Sequence, residues 1–465
     1  MKQLPAEFIT RTKALLGDEW DAFEQALNAG SPTSIRLNPF KNSPPNPLRG
    51  EQEAPFRELG VGPVPWASNA CYLSERPSFT LDPLFHAGNY YVQEASSMAL
   101  EELIRQHVTK PVRVLDLCAA PGGKSTQLSS VLPEESLLVA NEVIRTRANI
   151  LSENLTKWGN PHTIVTNNDP AAIGKLGAFF DVIVVDAPCS GEGMFRKDPA
   201  SIAEWSVANV QLCAERQRRI VADVWPALLP GGLLIYSTCT YNREENEENI
   251  DWMCSEFGAP VIEKPRRFLP HRTKGEGFFI AAVRKPSSEA FPHHHHAHDP
   301  QSPKNKTKSV GATLAVAQSS AQSSAQSSIT QLIKNPNQFR IFENKNGFTA
   351  IPTTGVAGYL LLKERLKIVS AGVHLGEMKG KDFIPSHSLA MSCALSSNAF
   401  PTLELDKTTA LNYLKKEALQ TISPDLPKGH LLVTYLGCPL GFVKNIGNRA
   451  NNLYPQEWRI RMSLA

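Results

Sequence analysis

Apolar positions along the chain change their rhythm several times. Over residues 1–30, Phe8, Leu15, Leu16, Trp20, Phe23 and Leu27 recur at roughly helical spacing with Pro5 near the start, which predicts helix. Ser34-Ile-Arg36-Leu-Asn38-Pro39 reads as a short extended segment, residues 40–65 as a Pro- and Gly-rich loop, and Trp66–Asn89 shows no readable period. Tyr90 then leads into a helix reaching about His107. From residue 112 the pattern becomes short apolar runs alternating with amphipathic stretches. Strands are expected at 112–117, 136–141, 163–166, 181–186, 233–238 and 276–284, with helices at 124–132, 145–157 and 208–228. Val182–Val185 are four consecutive β-branched residues, the mark of a strand buried on both faces. A βαβα rhythm of this kind predicts a mostly parallel, doubly wound α/β sheet.

The rhythm stops at 287–330, which holds His293–His296, His298, a Lys-rich patch and repeated Ala-Gln-Ser-Ser units. This segment reads as a flexible linker, and its histidines have no fold around them to make a metal site, so no metal is expected. A second globular unit, rich in short β-like runs and glycines, begins at 331. It ends in Leu431–Gly437 and Leu440–Lys444, read as a hairpin turning at Cys438-Pro439.

Composition changes this picture little, and charge changes it more. A chain of 465 residues with 42% hydrophobic and 20% charged residues is an ordinary globular protein of two to four units. No apolar run approaches the ~18 residues of a membrane span, and Met1–Phe8 lacks the apolar core of a secretory signal. A soluble, cytoplasmic protein is therefore expected. Residues 331–465 carry 16 Lys+Arg against 9 Asp+Glu, or +7, which leaves −4 of the overall +3 for residues 1–330. A basic unit on a mildly acidic body fits a polyanion-binding module or a solvated basic face. Cysteines stand at 71, 118, 189, 213, 239, 254, 393 and 438 with no C-x-x-C pair, which argues against a zinc ribbon or a disulfide framework.

Candidate chemistry collects at the carboxyl ends of the strands, where open α/β sheets bind ligands. The first strand runs into Cys118-Ala119-Ala120-Pro121-Gly122-Gly123-Lys124 and a helix. This is neither G-x-G-x-x-G nor a Walker loop, so a nucleoside or amino-acid-like cofactor fits better than a phosphate. Glu142 ends the next strand, 19 residues after Gly123, about where an acid binds a ribose diol. Asp169 follows the third strand and is placed to meet an adenine edge. Singly, each such acid is more often a cap or turn residue. Asp186-Ala-Pro-Cys189-Ser-Gly-Glu-Gly193 and Tyr236-Ser-Thr-Cys239-Thr240 then bring an acid and two thiols to one sheet edge. A thiolate adds readily to the electron-poor C6 of a pyrimidine, which makes C5 nucleophilic toward a methyl sulfonium. Asp186 is suited to hold N3 and the amino group of a cytosine.

These stretches, with Arg36-Leu-Asn-Pro39, Tyr91–Met98, Arg196-Lys-Asp-Pro199 and Glu244-Glu-Asn-Glu247, resemble the NOL/NOP/Sun family of RNA cytosine-5 methyltransferases. Ala371–Glu377, Pro385-Ser-His387 and Pro439–Lys444 resemble the C-terminal extension of its bacterial ribosomal RNA methyltransferase F type. The resemblance implies a Rossmann-like S-adenosylmethionine-dependent methyltransferase sheet at 109–286. It also implies an N-terminal α+β RNA-binding extension at 1–108, the linker at 287–330 and a C-terminal RNA-binding region at 331–465 ending in a β-rich PUA-like domain. It assigns the nucleophile to Cys239, product release to Cys189, and cofactor contacts to Cys118–Lys124, Glu142, Asp169 and Asp186. The implied substrate is ribosomal RNA or the small ribosomal subunit, with no membrane or DNA partner, and a monomer is expected. Transfer RNA as substrate, a DNA-type enzyme attacking through Cys189, and a non-catalytic ribosome-assembly factor remain as rivals.

Overall fold

The computed structural model describes residues 3–41, 60–287, 329–419 and 423–463. The linker expected at 287–330 therefore lies almost wholly outside the described residues. The helical period of the first 30 residues yields two helices rather than one. α1 (Ala6–Leu16) stops at Gly17, whose φ is +57°, and α2 (Trp20–Asn28) resumes after a short 3-10 turn. Phe8, Trp20, Phe23 and Leu27 are buried against Phe195, Trp205 and Tyr241. Four antiparallel strands follow, β1 (Thr33–Leu37), β2 (Gly60–Pro63), β3 (Ala70–Leu73) and, after α3 (Pro83–His86), β4 (Tyr90–Val92), in the order β2-β3-β1-β4. Tyr90 thus opens a strand, and α4 (Leu100–His107) begins only after a 3-10 turn at Ser96–Ala99. Two tyrosines and a valine favour that choice once β1 offers an edge. β3 is buried at every position, so the stretch that contains it has no in–out alternation to read.

The central sheet follows: β5 (Arg113–Asp116), α5 (Gly123–Val131), β6 (Leu137–Asn141), α6 (Arg145–Trp158), β7 (Thr163–Thr166), α7 (Pro170–Gly174) and β8 (Phe180–Asp186). After α8 (Pro199–Glu204) and α9 (Val207–Val224) come β9 (Leu228–Thr238), α10 (Glu247–Phe257), β10 (Arg266–Phe268) and β11 (Phe278–Arg284). Their unbroken apolar runs are explained by two cores. Leu115, Ile183, Val185 and Leu234 point to one, while Val114, Val182, Val184 and Ile235 point to the other. Each such side chain contributes roughly 1.5–3 kcal/mol on burial. β5 to β9 are parallel, and the chain winds outward through β6 and β7 before returning to β8 beside β5. The switch of direction between β5 and β8 opens the crevice in which such sheets bind ligands.

The C-terminal region forms two further sheets and one borrowed strand. β12 (Phe339–Asn344) and β13 (Gly347–Pro352) lead through a helix at Val356–Arg365 to β14 (Ile368–Ala371), then β15 (Val373–Lys379) and β16 (Asp382–Pro385). β12, β13, β15 and β16 make one sheet, whereas β14 closes the edge of the central sheet beside β7, completing the order β10-β11-β9-β8-β5-β6-β7-β14. Residues 331–465 are thus not one separate body. β17 (Thr402–Glu404), β18 (Gly429–Tyr435), β19 (Cys438–Asn445) and β20 (Ala450–Asn452) make the last sheet. Its hairpin turns at Leu436-Gly437, with φ of +49° and +70°, two positions earlier than expected. Positive φ at both central residues matches the twist of the flanking strands, and Pro439 is tolerated near a strand start. Leu431, Val433 and Leu440 of this sheet share a core with Ile35, Leu37 and Tyr90 of the N-terminal sheet. Among the described residues no helix is long and apolar enough to cross a membrane.

Candidate active site

β8 and β9 are adjacent and parallel, with Asp186 paired to Ser237, so the loops leaving them emerge side by side. Cys189 and Cys239, 50 residues apart in sequence, meet there with their Sγ atoms 3.2 Å apart. Glycine is required between them: a Cβ on Gly193 would stand 2.8 Å from the Cys239 carbonyl oxygen, whose hydrogen bond comes from the Gly193 amide at 2.9 Å. The hydrogen bond to Cys239 and then burial push the Cys189 thiol well above the usual range. Asp186 ends β8 between the thiols and the β5 loop. Its Oδ1 accepts from Ser237 Oγ at 2.8 Å and its Oδ2 lies 2.8 Å from Lys124 Nζ. Burial opposes the Lys124 charge, but Asp186 outweighs it and raises the lysine's pKa.

The β5 loop is fixed from behind. Arg147 Nη2 donates to the Ala120 carbonyl at 2.8 Å and Asn154 Nδ2 to that of Pro121 at 2.7 Å. Ala119 N donates to Asn141 O at 2.9 Å, and Gly122 caps α5 with a φ of +119°, a conformation that favours glycine. Arg36, buried and stacked 4.6 Å over Trp158, reaches in from β1 and donates to Gly123 O at 3.3 Å and Thr126 Oγ1 at 2.6 Å. The N-terminal extension therefore holds the helix whose start forms the loop. Cys118 is held as a neutral thiol, burial and then Asp116 pushing its pKa up.

Three acids stand at neighbouring strand ends. Asp116, which ends β5, is fully buried; Oδ2 accepts from Ser125 Oγ at 2.6 Å, and Oδ1 has no partner among the described residues. Burial, with Asp186 and Glu142 adding to it, raises its pKa to about 7 against the Ser125 hydrogen bond and the Lys124 charge. Glu142 is also buried; Oε1 accepts from Ile144 N at 2.9 Å and Oε2 lies 3.3 Å from Arg147. Asp169 is exposed and caps α7, accepting from Ala171 N at 2.9 Å. A cleft in which carboxylates destabilise one another, with an orphaned carboxylate oxygen, suits a cationic ligand rather than a phosphate. S-adenosylmethionine, with its sulfonium and ammonium charges and ribose diol, fits that donor set.

Sequence reasoning passed over Asp116, Glu192 and Glu245, although all three lie inside motif stretches. Glu192 and Glu245 form a buried network under the thiols together with Ser190, Thr240, Asn242 and Gln217. What they hold depends on pairing between the two loops, which no local period reveals.

Comparison with known proteins agrees with this geometry along the chain. Residues 107–284 match the family model of the 16S rRNA methyltransferase RsmB/F, and residues 4–95 that of the N-terminal domain of 16S rRNA methyltransferase RsmF. Residues 356–393 match the RsmF first C-terminal domain and 400–460 the RsmF PUA domain. The ribosomal RNA small subunit methyltransferase F of Enterobacter sp. (strain 638) is 30% identical over 97% of this chain and 95% of its own. That of Cronobacter sakazakii is 31% identical over 98% and 96%. Among solved structures, a methyltransferase homolog from Pyrococcus horikoshii is 28% identical, covers 60% of this chain and 94% of its own, and superposes with a TM-score of 0.52. NSun6 from Pyrococcus horikoshii, solved with SFG, shares the fold at 21% identity and a TM-score of 0.53, covering 62% of this chain and all of its own.

Proposed function

This chain belongs to the 16S rRNA methyltransferase RsmB/F family, and from that premise we propose that it methylates C5 of a cytosine in small-subunit ribosomal RNA. It is an S-adenosylmethionine-dependent rRNA methyltransferase; the finer chemistry rests on the thiol pair beside Asp186. S-adenosylmethionine supplies an electrophilic methyl group, and Cys118–Lys124, Glu142, Asp169 and Asp186 are the residues to hold it, with Asp116 beneath. Cys239 adds as thiolate to C6, and Asp186, anchored by Ser237 and Lys124, holds N3 and the amino group as charge develops there. Cys189, after giving its own proton to solvent, takes the one on C5, whose bonding electrons re-form the C5–C6 double bond. The C6–S bond breaks and Cys239 leaves as thiolate.

The observation that carries this reading is the 3.2 Å contact of two thiols on adjacent strand ends. A cavity of about 560 Å³ follows the seam between the N-terminal extension and the catalytic body, lined by Thr33, Glu75, Arg76 and Lys274 and by Arg196, which is paired with Glu276; this reading seats RNA there. Division into an RNA-binding extension at 1–108, a catalytic domain at 109–286 and a C-terminal RNA-binding region ending in a PUA-like domain belongs to the same reading. So do action as a monomer, in the cytoplasm, on RNA rather than DNA. The test is methyl transfer from labelled S-adenosylmethionine to small-subunit RNA and to transfer RNA, followed by nucleoside digestion. Label in 5-methylcytidine from small-subunit RNA is expected. Label in another nucleoside, or only in transfer RNA, overturns the proposal.

A further inference from the structure

We infer that Glu192 and Glu245 are positioning residues that divide the two thiols between them, Glu192 holding the Cys239 loop and Glu245 the Cys189 loop. Each acid comes from the opposite side. Glu192 lies three residues after Cys189, yet its Oε2 accepts from Thr240 Oγ1 at 2.6 Å, Tyr241 N at 2.7 Å and Asn242 N at 3.0 Å. Its Oε1 accepts from Trp205 Nε1 at 3.0 Å and Asn242 Nδ2 at 3.2 Å. Glu245 lies six residues after Cys239, yet its Oε2 accepts from Ser190 N at 3.0 Å and Gln217 Nε2 at 2.7 Å. Its Oε1 accepts from Ser190 Oγ and from Asn242 Nδ2, the latter at 2.7 Å. Gln217 also donates to Pro188 O at 3.0 Å, so Glu245 reaches both neighbours of Cys189. The hydroxyls of Ser190 and Thr240 meet at 3.0 Å, closing the clasp directly beneath the sulfur contact.

Only carboxylates complete this arrangement. Every contact on both oxygens of Glu192 and Glu245 comes from a donor, so a glutamine at either position turns its own N–H₂ toward donors whichever way it is flipped. Misplacing a reacting group by about 1 Å costs on the order of 10²-fold in rate. Neither acid touches a reacting atom, so substitution should alter the steps of the thiols and leave cofactor binding alone. Which step each thiol performs rests on the function proposed above; the pairing of each acid with its thiol does not.

The test compares full-length Glu192→Gln and Glu245→Gln with Cys239→Ala and Cys189→Ala, using small-subunit RNA and S-adenosylmethionine. The formation and decay of covalent protein–RNA adduct are followed on denaturing gels, and cofactor affinity by calorimetry. Glu192→Gln is expected to share the Cys239→Ala defect in weaker form, adduct formation being slowed about 10²-fold where Cys239→Ala forms none. Glu245→Gln is expected to match Cys189→Ala, with adduct that forms and persists. Both should bind the cofactor as wild type does. Equal slowing of both steps in both variants, the reverse pairing, or loss of cofactor affinity in step with the rate overturns the inference. If the glutamine variants do not fold, Thr240→Val and Ser190→Ala each remove one donor to the same two acids and must show the same pairing in weaker form. A Cys189→Ala protein that accumulates no adduct overturns the assigned thiol roles, while each glutamine variant is still judged by which cysteine variant it matches.

Discussion

Buried carboxylates on the two sides of the site are completed differently. On the cofactor side Asp116 uses one oxygen on Ser125 and leaves the other without a partner, and burial lifts its pKa to about 7. On the thiol side both oxygens of Glu192 and of Glu245 are occupied by protein donors. A fully satisfied buried network fixes one geometry, whereas a partly satisfied one carries the cost of unpaired groups. The difference separates a wall that gains a partner when a cation arrives from a wall already complete, on which the reacting sulfurs are mounted.

The largest effect that can break this contrast is on cofactor affinity. Glu142→Ala removes charge-assisted hydrogen bonds worth ~1.5–3 kcal/mol, or roughly 10- to 150-fold in the dissociation constant of S-adenosylmethionine. Calorimetry on this variant beside Glu245→Gln should show the loss in the first alone; equal losses would erase the distinction between the two sides. A second effect, on stability rather than on affinity, follows from Asp116 and from pH. Its folded pKa of about 7 lies above the ~3.9 of an unfolded aspartate. The folded state therefore keeps the proton over that window, and stability falls as pH rises through it, by at most ~1.4 kcal/mol per pH unit. Asp116→Asn lacks that fall. Melting at pH 4.5 and pH 8 without cofactor should show the wild type losing more stability than the variant, and parallel curves would contradict the burial of an incompletely paired acid. The smallest effect concerns the last sheet. Lys428→Ala and Arg449→Ala, both at exposed positions, should each lower the salt slope of RNA binding by about 1. An unchanged slope would mark the basic surplus as a solvated face.

Much of this site was legible because it lies where one strand and its following loop decide the matter. Val182–Val185 announced a buried strand, and the residues that end it stand where an open sheet presents them. The same reasoning extended to Glu142 as a strand-end acid. It did not reach Glu192 or Glu245, since their partners lie across the Cys189 and Cys239 loops and no local spacing encodes a contact between them. It also missed Asp116, which looks like any polar residue closing a strand until its buried, orphaned oxygen is seen. In the fold, β14 escaped because Ile368–Ala371 pairs with β7, some two hundred residues away in sequence. The helical period of residues 1–30 was correct, but the break at Gly17 depends on a single positive φ. Cys438-Pro439 drew the hairpin turn by its proline, although the positive-φ pair precedes it.

Which sulfur carries the RNA is read most directly with an RNA whose target cytosine bears fluorine at C5. The methylated adduct on such a base has no C5 proton to lose, so the wild-type enzyme stays attached through its nucleophile. Protease digestion and mass spectrometry then identify the peptide that holds the nucleotide. Attachment through Cys239, with Cys189 recovered as free thiol, is the expected result. Attachment through Cys189 would contradict the assignment of nucleophile and release between the two strand ends.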